Sequence, residues 1–278
     1  MKWRQWLVAS SLVVLTACTS STQEGAIGVQ RKQFLLLPAD QVNAMALQSY
    51  RGELSEAKQK GALNTDKTNL ERIRKIADRL IPQVATFRPD ALNWAWEVNL
   101  ESRNELNAYC APGGKIMFFT GIIENLKLTD DEIAAIMGHE MAHALREHGR
   151  ERISQAYAQQ AGMAILAMVT DMNQKQAAIL QTATHLGLTL PHGRGQESEA
   201  DVMGLELLAR AGYDPKAAVT LWQKMAAANK SAPPAFLSTH PSSAQRINEK
   251  NSKIAVVMPL YDATKRNPPS TKMIVPRT

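Results

Sequence analysis

The chain has little cysteine, few aromatic residues and no long apolar stretch. Its two cysteines, Cys18 and Cys110, are too few for a disulfide framework. Aromatics make up 5% of the residues and the formal charge is only +6. No dense basic stripe interleaved with aromatics occurs, so nucleic acid is not an expected partner. No apolar run reaches the length of an ordinary transmembrane helix. The fold must therefore come from a packed core, with or without a metal.

At the start, Lys2 and Arg4 precede a short, mostly apolar run from Trp6 to Leu15. Residues 1–17 read as a secretory signal. The run ends in Leu15-Thr16-Ala17-Cys18, which resembles a bacterial lipoprotein box. In such proteins the cysteine is lipidated and becomes the first residue. Thr19, in place of aspartate, implies by the same resemblance a Gram-negative outer-membrane location facing the periplasm. Cleavage would leave about 260 residues, enough for one large domain or two small ones. Without Lys2 and Arg4 the charge falls from +6 to about +4, compatible with an anionic membrane surface. With Cys18 lipidated, Cys110 has no disulfide partner, and it lies in an expected strand where a zinc mechanism needs no thiol.

The pattern along the chain predicts an α+β, mostly α protein. Residues 18–65 form a polar tether, as far as about residue 38, and an N-terminal helical segment from Ala39. Thr65-Asp66 caps a helix whose Leu70, Ile73, Ile76, Ala77 and Leu80 repeat every three to four residues. Pro82 ends or kinks it. Residues 94–100, 107–111 and 115–120 read as three strands of a small antiparallel sheet. Helices follow over 121–126, 149–169, 197–210, 214–228 and 242–250. Residues 172–195 read as a helix and a loop, whose His185 and His192 could visit a site. Residues 251–278, rich in prolines and basic clusters, read as an extended or disordered tail.

One stretch organises the rest: His139-Glu140-Met141-Ala142-His143. Thr129 and Glu132 form a capping box ahead of it, and Ile133, Ile136 and Met137 give it a packed face. On a helix, His139 and His143 share one side and can point at one zinc ion. Glu140 can then reach a water on that zinc as a general base. His148, about 140° further round the same helix, should face solvent. A catalytic zinc takes a third protein ligand. Glu197, Ala200, Asp201 and Gly204 share one face of a later helix, and the small residues at 200 and 204 permit close approach. Glu197 can bind the metal while Asp201 supports a ligand histidine. Without the histidine motif, the same segment would be a solvated acidic face.

Taken with Thr239-His240-Pro241, Arg246-Ile247, Asn107-Ala108-Tyr109 and Pro112-Gly113-Gly114, these motifs resemble the zincin-like metallopeptidases related to the CaaX prenyl protease. The resemblance covers roughly residues 66–250 and is nearest the secreted bacterial BepA-like and LoiP-like branch. It implies one zinc per chain held by His139, His143 and Glu197, with Glu197 favoured over Glu199, and Glu140 as base. An extended peptide substrate is expected to pair with the strand from Asn107 and Ala108 to Ala111, since an exposed edge offers backbone partners independent of side chains. Expected partners are unfolded or misassembled envelope proteins, the membrane through Cys18, and outer-membrane assembly machinery. His240 is either a turn histidine with local hydrogen bonds or, on a loop over the cleft, a fourth ligand that keeps the site latent. The expected function is a zinc endopeptidase of misfolded or unassembled envelope proteins. The alternative is a latent protease acting mainly as a chaperone or assembly factor.

Cys18→Ala should abolish membrane anchoring. Each buried methylene of a lipid chain contributes about 0.8 kcal/mol, so the acyl chains would hold the protein firmly. Membrane fractionation measures this, and a variant that still pellets fully has another anchor.

Overall fold

Helices form largely where periodicity and capping place them. The structure is a computed structural model that describes residues 18–169, 192–228, 235–240, 244–269 and 273–277. Its elements run β1 (Cys18–Thr19), β2 (Gln33–Phe34), α1 (Ala39–Gln59), α2 (Lys67–Leu80), β3 (Glu97–Glu101), β4 (Ala108–Ala111) and β5 (Lys115–Phe119), followed by α3 (Thr120–Asn125), α4 (Asp130–Leu145), α5 (His148–Val169), α6 (Arg194–Arg210), α7 (Ala217–Ala228), α8 (Ala235–Thr239) and α9 (Ala244–Arg266). The signal region 1–17 and His185 lie outside the described residues, as do the side chains of residues 162–169 in the apolar part of α5. No described helix is long and apolar enough to cross a membrane.

The motif helix α4 begins at the expected capping box. Thr129 accepts from Glu132 N at 3.3 Å, and Thr129 N donates to Glu132 Oε2 at 2.9 Å. From Glu132 to Leu145 every residue of α4 is buried, so the helix runs through the core rather than along its surface. It packs on α6, α7, α2 and β4. Asp66 caps α2 by accepting from Asn69 N at 2.9 Å, and Leu80 leads into a 3-10 turn, Ile81–Thr86, that contains Pro82.

The small sheet lies beside α4 as expected, but it is mixed rather than antiparallel. Its order is β3-β5-β4. β4 and β5 form an antiparallel hairpin, whereas β3 runs parallel to β5. The segment after β3 crosses to the far side of β5, where Arg103 O accepts from Gly121 N at 3.0 Å. Gly113 and Gly114 turn the hairpin with φ near +80°. A Cβ on Gly114 would lie 2.6 Å from the Trp96 ring, so the turn must be bare for the tryptophan to pack.

Two terminal segments depart from expectation. Residues 20–37 are not a free tether. Ile27, Val29, Gln33, Leu35 and Leu37 are buried. Ala26 N and Ile27 N donate to the Glu206 carboxylate at 3.0 and 2.9 Å. Polarity suggested solvent, but the polar groups are spent on the domain itself. Nor are residues 251–266 an extended tail: they continue α9, with Pro259 inside it. Val257 is fully buried, so tertiary packing overrides the breaker. Further on, Ile274 N and Val275 N donate to Asp78 Oδ1 at 2.8 and 2.9 Å.

α4 and α6 approach each other closely at Gly138 and Gly204. A Cβ on Gly204 would sit 3.0 Å from His139 N, and one on Gly138 would sit 3.2 Å from Gly204 O. Gly204→Val should therefore push α6 from α4. Overpacking of this kind costs about 1–3 kcal/mol. A lowered thermal midpoint together with weakened metal binding is expected. An unchanged midpoint would mean the interface has slack that the geometry does not reveal.

Candidate metal centre

The buried face of α4 carries His139 and His143 one turn apart, with their Nε2 atoms 3.1 Å from each other. Because α6 crosses at Gly204, Glu197 at its N-terminal end reaches the same point. Glu197 Oε1 is 3.3 Å from His143 Nε2, and its Oε2 is 3.6 Å from His139 Nε2. A fourth donor enters from the end of α8. His240 Nδ1 lies 2.9 Å from Glu197 Oε1 and 3.3 Å from His139 Nε2. The histidine is therefore not confined to a local turn.

These four donors fit a metal ion. Zinc bonds of 2.0–2.1 Å in a tetrahedron place ligand atoms about 3.3 Å apart, and the spacings here scatter around that value. Imidazole nitrogens with one carboxylate are a donor set that zinc accepts.

The supports lie where the spacing suggested, with additions. Asp201 Oδ1 is 3.1 Å from His139 Nδ1. Arg246 binds both carboxylates, through Asp201 Oδ2 at 2.6 Å and Glu197 Oε2 at 2.7 Å. Lys250 Nζ is 2.8 Å from Asp201 Oδ2 and 4.2 Å above the Trp222 ring. Burial would raise the two carboxyls, yet Lys250, His139 and Arg246 hold Asp201 below the usual range. His143 and His240, close beside its carboxylate, do the same for Glu197. Burial against these charges drives Lys250 down to about 8.

Glu140 differs from these groups. It is buried, its Oε1 has no hydrogen-bond partner, and its nearest charged neighbour is His240 Nε2 at 3.5 Å. Burial pushes its carboxyl above the ordinary range, against the pull of His240 and His139. A buried oxygen without a partner costs free energy unless something else uses it, as a proton acceptor does.

The centre opens onto a cavity of about 240 Å³ lined by Tyr50, Glu53, Asn107, Ala108, Glu140 and His240, among others. β4 is an edge strand of its sheet and forms one wall. Cys110, also in that wall, has its thiol pushed up by burial, which makes it a poor nucleophile.

His148 is not on the surface. Glu147 adopts φ +50° and breaks the helix after α4, so the continuous-helix angle does not apply. The His148 ring turns inward and is fully buried, 2.8 Å from His143 Nδ1. His192 also comes in, with its ring centre 3.8 Å from that of His143 and its Nε2 2.8 Å from Arg152. Sequence reasoning gave no role to Arg246, Lys250 or Arg152. The i+4 spacing of Arg246 and Lys250 was a usable signal, since it places both on one face of α9.

A model of peptidase family M48 matches residues 67–253. The chain is 40% identical to the mitochondrial metalloendopeptidase OMA1 of Arabidopsis thaliana over 55% of its own length and 30% of that protein's. It is 26% identical to the metalloprotease LoiP of Escherichia coli, over 88% of this chain and 94% of LoiP. Against the beta-barrel assembly-enhancing protease of Yersinia pestis the identity is 26%, over 67% of this chain and 39% of the relative. The chain spans between 30% and 53% of the OMA1 proteins of Arabidopsis and two yeasts.

Proposed function

The chain belongs to peptidase family M48, and from that premise we propose that it is a zinc-dependent endopeptidase of misfolded or unassembled cell-envelope proteins. The observation that carries the reading is Glu140. A buried carboxylate oxygen without a hydrogen-bond partner, beside a cluster of four donors, is the arrangement a general base requires. Zinc held by His139, His143 and Glu197 would acidify a water and polarise the scissile carbonyl. Glu140 takes the water's proton at Oε1 and later gives it to the leaving amine. Asp201 holds His139 through Nδ1. An extended peptide lies along β4 near Asn107 and Ala108, where edge-strand pairing accepts many sequences. That suits unfolded substrates.

The envelope setting rests on two supports. One is the Leu15–Cys18 box, with lipidated Cys18 holding the protein at the outer membrane, facing the periplasm. The other is similarity to LoiP and to a protease named for enhancing beta-barrel assembly, which makes outer-membrane proteins and their assembly machinery the natural partners. A second reading, a latent protease acting mainly in assembly, is favoured by His240. Its Nδ1 stands among the donors, in the position a water needs.

Purified protein should cleave casein or a denatured protein, and a chelator should stop it. Glu140→Gln should lower the rate by at least 10²-fold, on the order expected for a lost general base, while zinc stays bound. Glu197→Ala should lose both. Normal cleavage by Glu140→Gln would remove the mechanism.

His240→Ala should raise basal cleavage of an unfolded substrate without loss of zinc. Equal or lower activity in a folded variant leaves His240 as a substrate- or structure-supporting residue instead of an inhibitor.

A further inference from the structure

His143 is tied into a chain of buried groups that the proposed reaction does not use. Its Nδ1 is 2.8 Å from His148 Nδ1, and His148 Nε2 is 3.0 Å from Glu199 Oε2. All three residues are buried. Glu199 is held through both oxygens. Arg146 donates to Oε1 at 2.7 Å, and Arg31, from the N-terminal strap formed by residues 20–37, donates to Oε2 at 2.8 Å. Arg31 also pairs with Glu151 at 2.6 Å, and Glu151 accepts from Gln196 at 2.8 Å.

These pairings fix where the hydrogens are. A carboxylate only accepts, so His148 Nε2 must carry the hydrogen that points at Glu199. The neutral ring carries no second hydrogen. His148 Nδ1 is then a lone pair, and His143 Nδ1 must donate to it. His143 Nε2, the atom 3.1 Å from His139 Nε2, is left as a lone pair aimed at the donor cluster. The opposite arrangement would set two lone pairs against each other at Glu199 and a hydrogen where a metal should bind.

We propose that His148 and Glu199 are positioning residues that lock His143 in its Nδ1–H tautomer and so set the zinc affinity of the centre, with the N-terminal strap completing the relay through Arg31. The proposal rests on the reading that the cluster holds zinc. It assigns a role to Glu199, which the sequence offers only as a rival ligand to Glu197. It also explains why an arginine of the strap reaches across to the back of the centre. Partners of this kind typically change metal affinity by about 10–100-fold when removed.

The test uses the purified protein in two measurements. Zinc affinity is read by competition with a chromophoric chelator. The tautomer of His143 is read in the zinc-free protein by NMR of ¹⁵N-labelled histidine. The wild type should bind one zinc and show His143 as Nδ1–H. His148→Ala should weaken zinc binding roughly 10–100-fold and release the tautomer. Glu199→Gln should act in the same direction, because an amide can present either a donor or an acceptor; it carries the test if His148→Ala does not fold. Arg31→Ala should give a smaller loss, since Arg146 still holds Glu199. Unchanged affinity in folded His148→Ala and Glu199→Gln overturns the relay, as does an Nε2–H tautomer of His143 in the wild type. Loss of a second zinc equivalent in His148→Ala would make His148 a ligand in a His143–His148–His192 site and equally overturn it. A wild type that binds no zinc removes the peptidase reading, and the tautomer measurement still decides the relay.

Discussion

The contact of Gly138 with Gly204 is the constraint on which the centre depends. α4 and α6 carry three of the four donors, and neither holds enough of them alone. Only bare backbone at the crossing lets α6 approach close enough for Glu197 to reach His139 and His143. The rest of the domain fixes that crossing from outside. α2 and α7 close over α4, and α9 packs on α6. The core residues Ile133, Ile136, Met203 and Leu207 fill the remaining space without exposure.

The second organising element is charge. Carboxylates at 197, 199, 201, 206 and 151 are buried around α6. Burying an unpaired carboxylate costs several kcal/mol, so each is matched. Arg246 and Lys250 serve one side, Arg31 and Arg146 the other, and backbone amides of the strap with Arg210 serve Glu206. Glu140 is matched more loosely, with His240 Nε2 3.5 Å from an Oε1 that has no hydrogen-bond partner.

Much of this was legible in the sequence because it depends on local spacing. Thr129 with Glu132, Asp66, and the one-turn repeat of His139 and His143 are short-range patterns, and helix geometry turns them directly into position. Glu197 and Asp201 needed one further idea, that small residues permit contact. What was not legible depends on the path of the chain. The left-handed turn at Glu147 redirects His148, and no propensity rule places a glutamate there. The crossing of residues 102–107 makes β3 parallel to β5. The strap at 20–37 and the helix through Pro259 look polar or broken locally and are ordered by distant partners. His240 fell between the two cases: its motif was visible, but the four-way convergence of donors was not.

The strap's hydrogen bonds to Glu206 also order events in time. They span about 180 positions of chain, and ribosomes make the N-terminal end first. Ala26 and Ile27 therefore wait without partners until α6 has been made and packed. Contacts of such separation form late. The strap should be the last part to dock, and the first to leave when the protein loosens. Arg31 travels with it, so a nascent chain would assemble its metal donors before their outer bracing is complete.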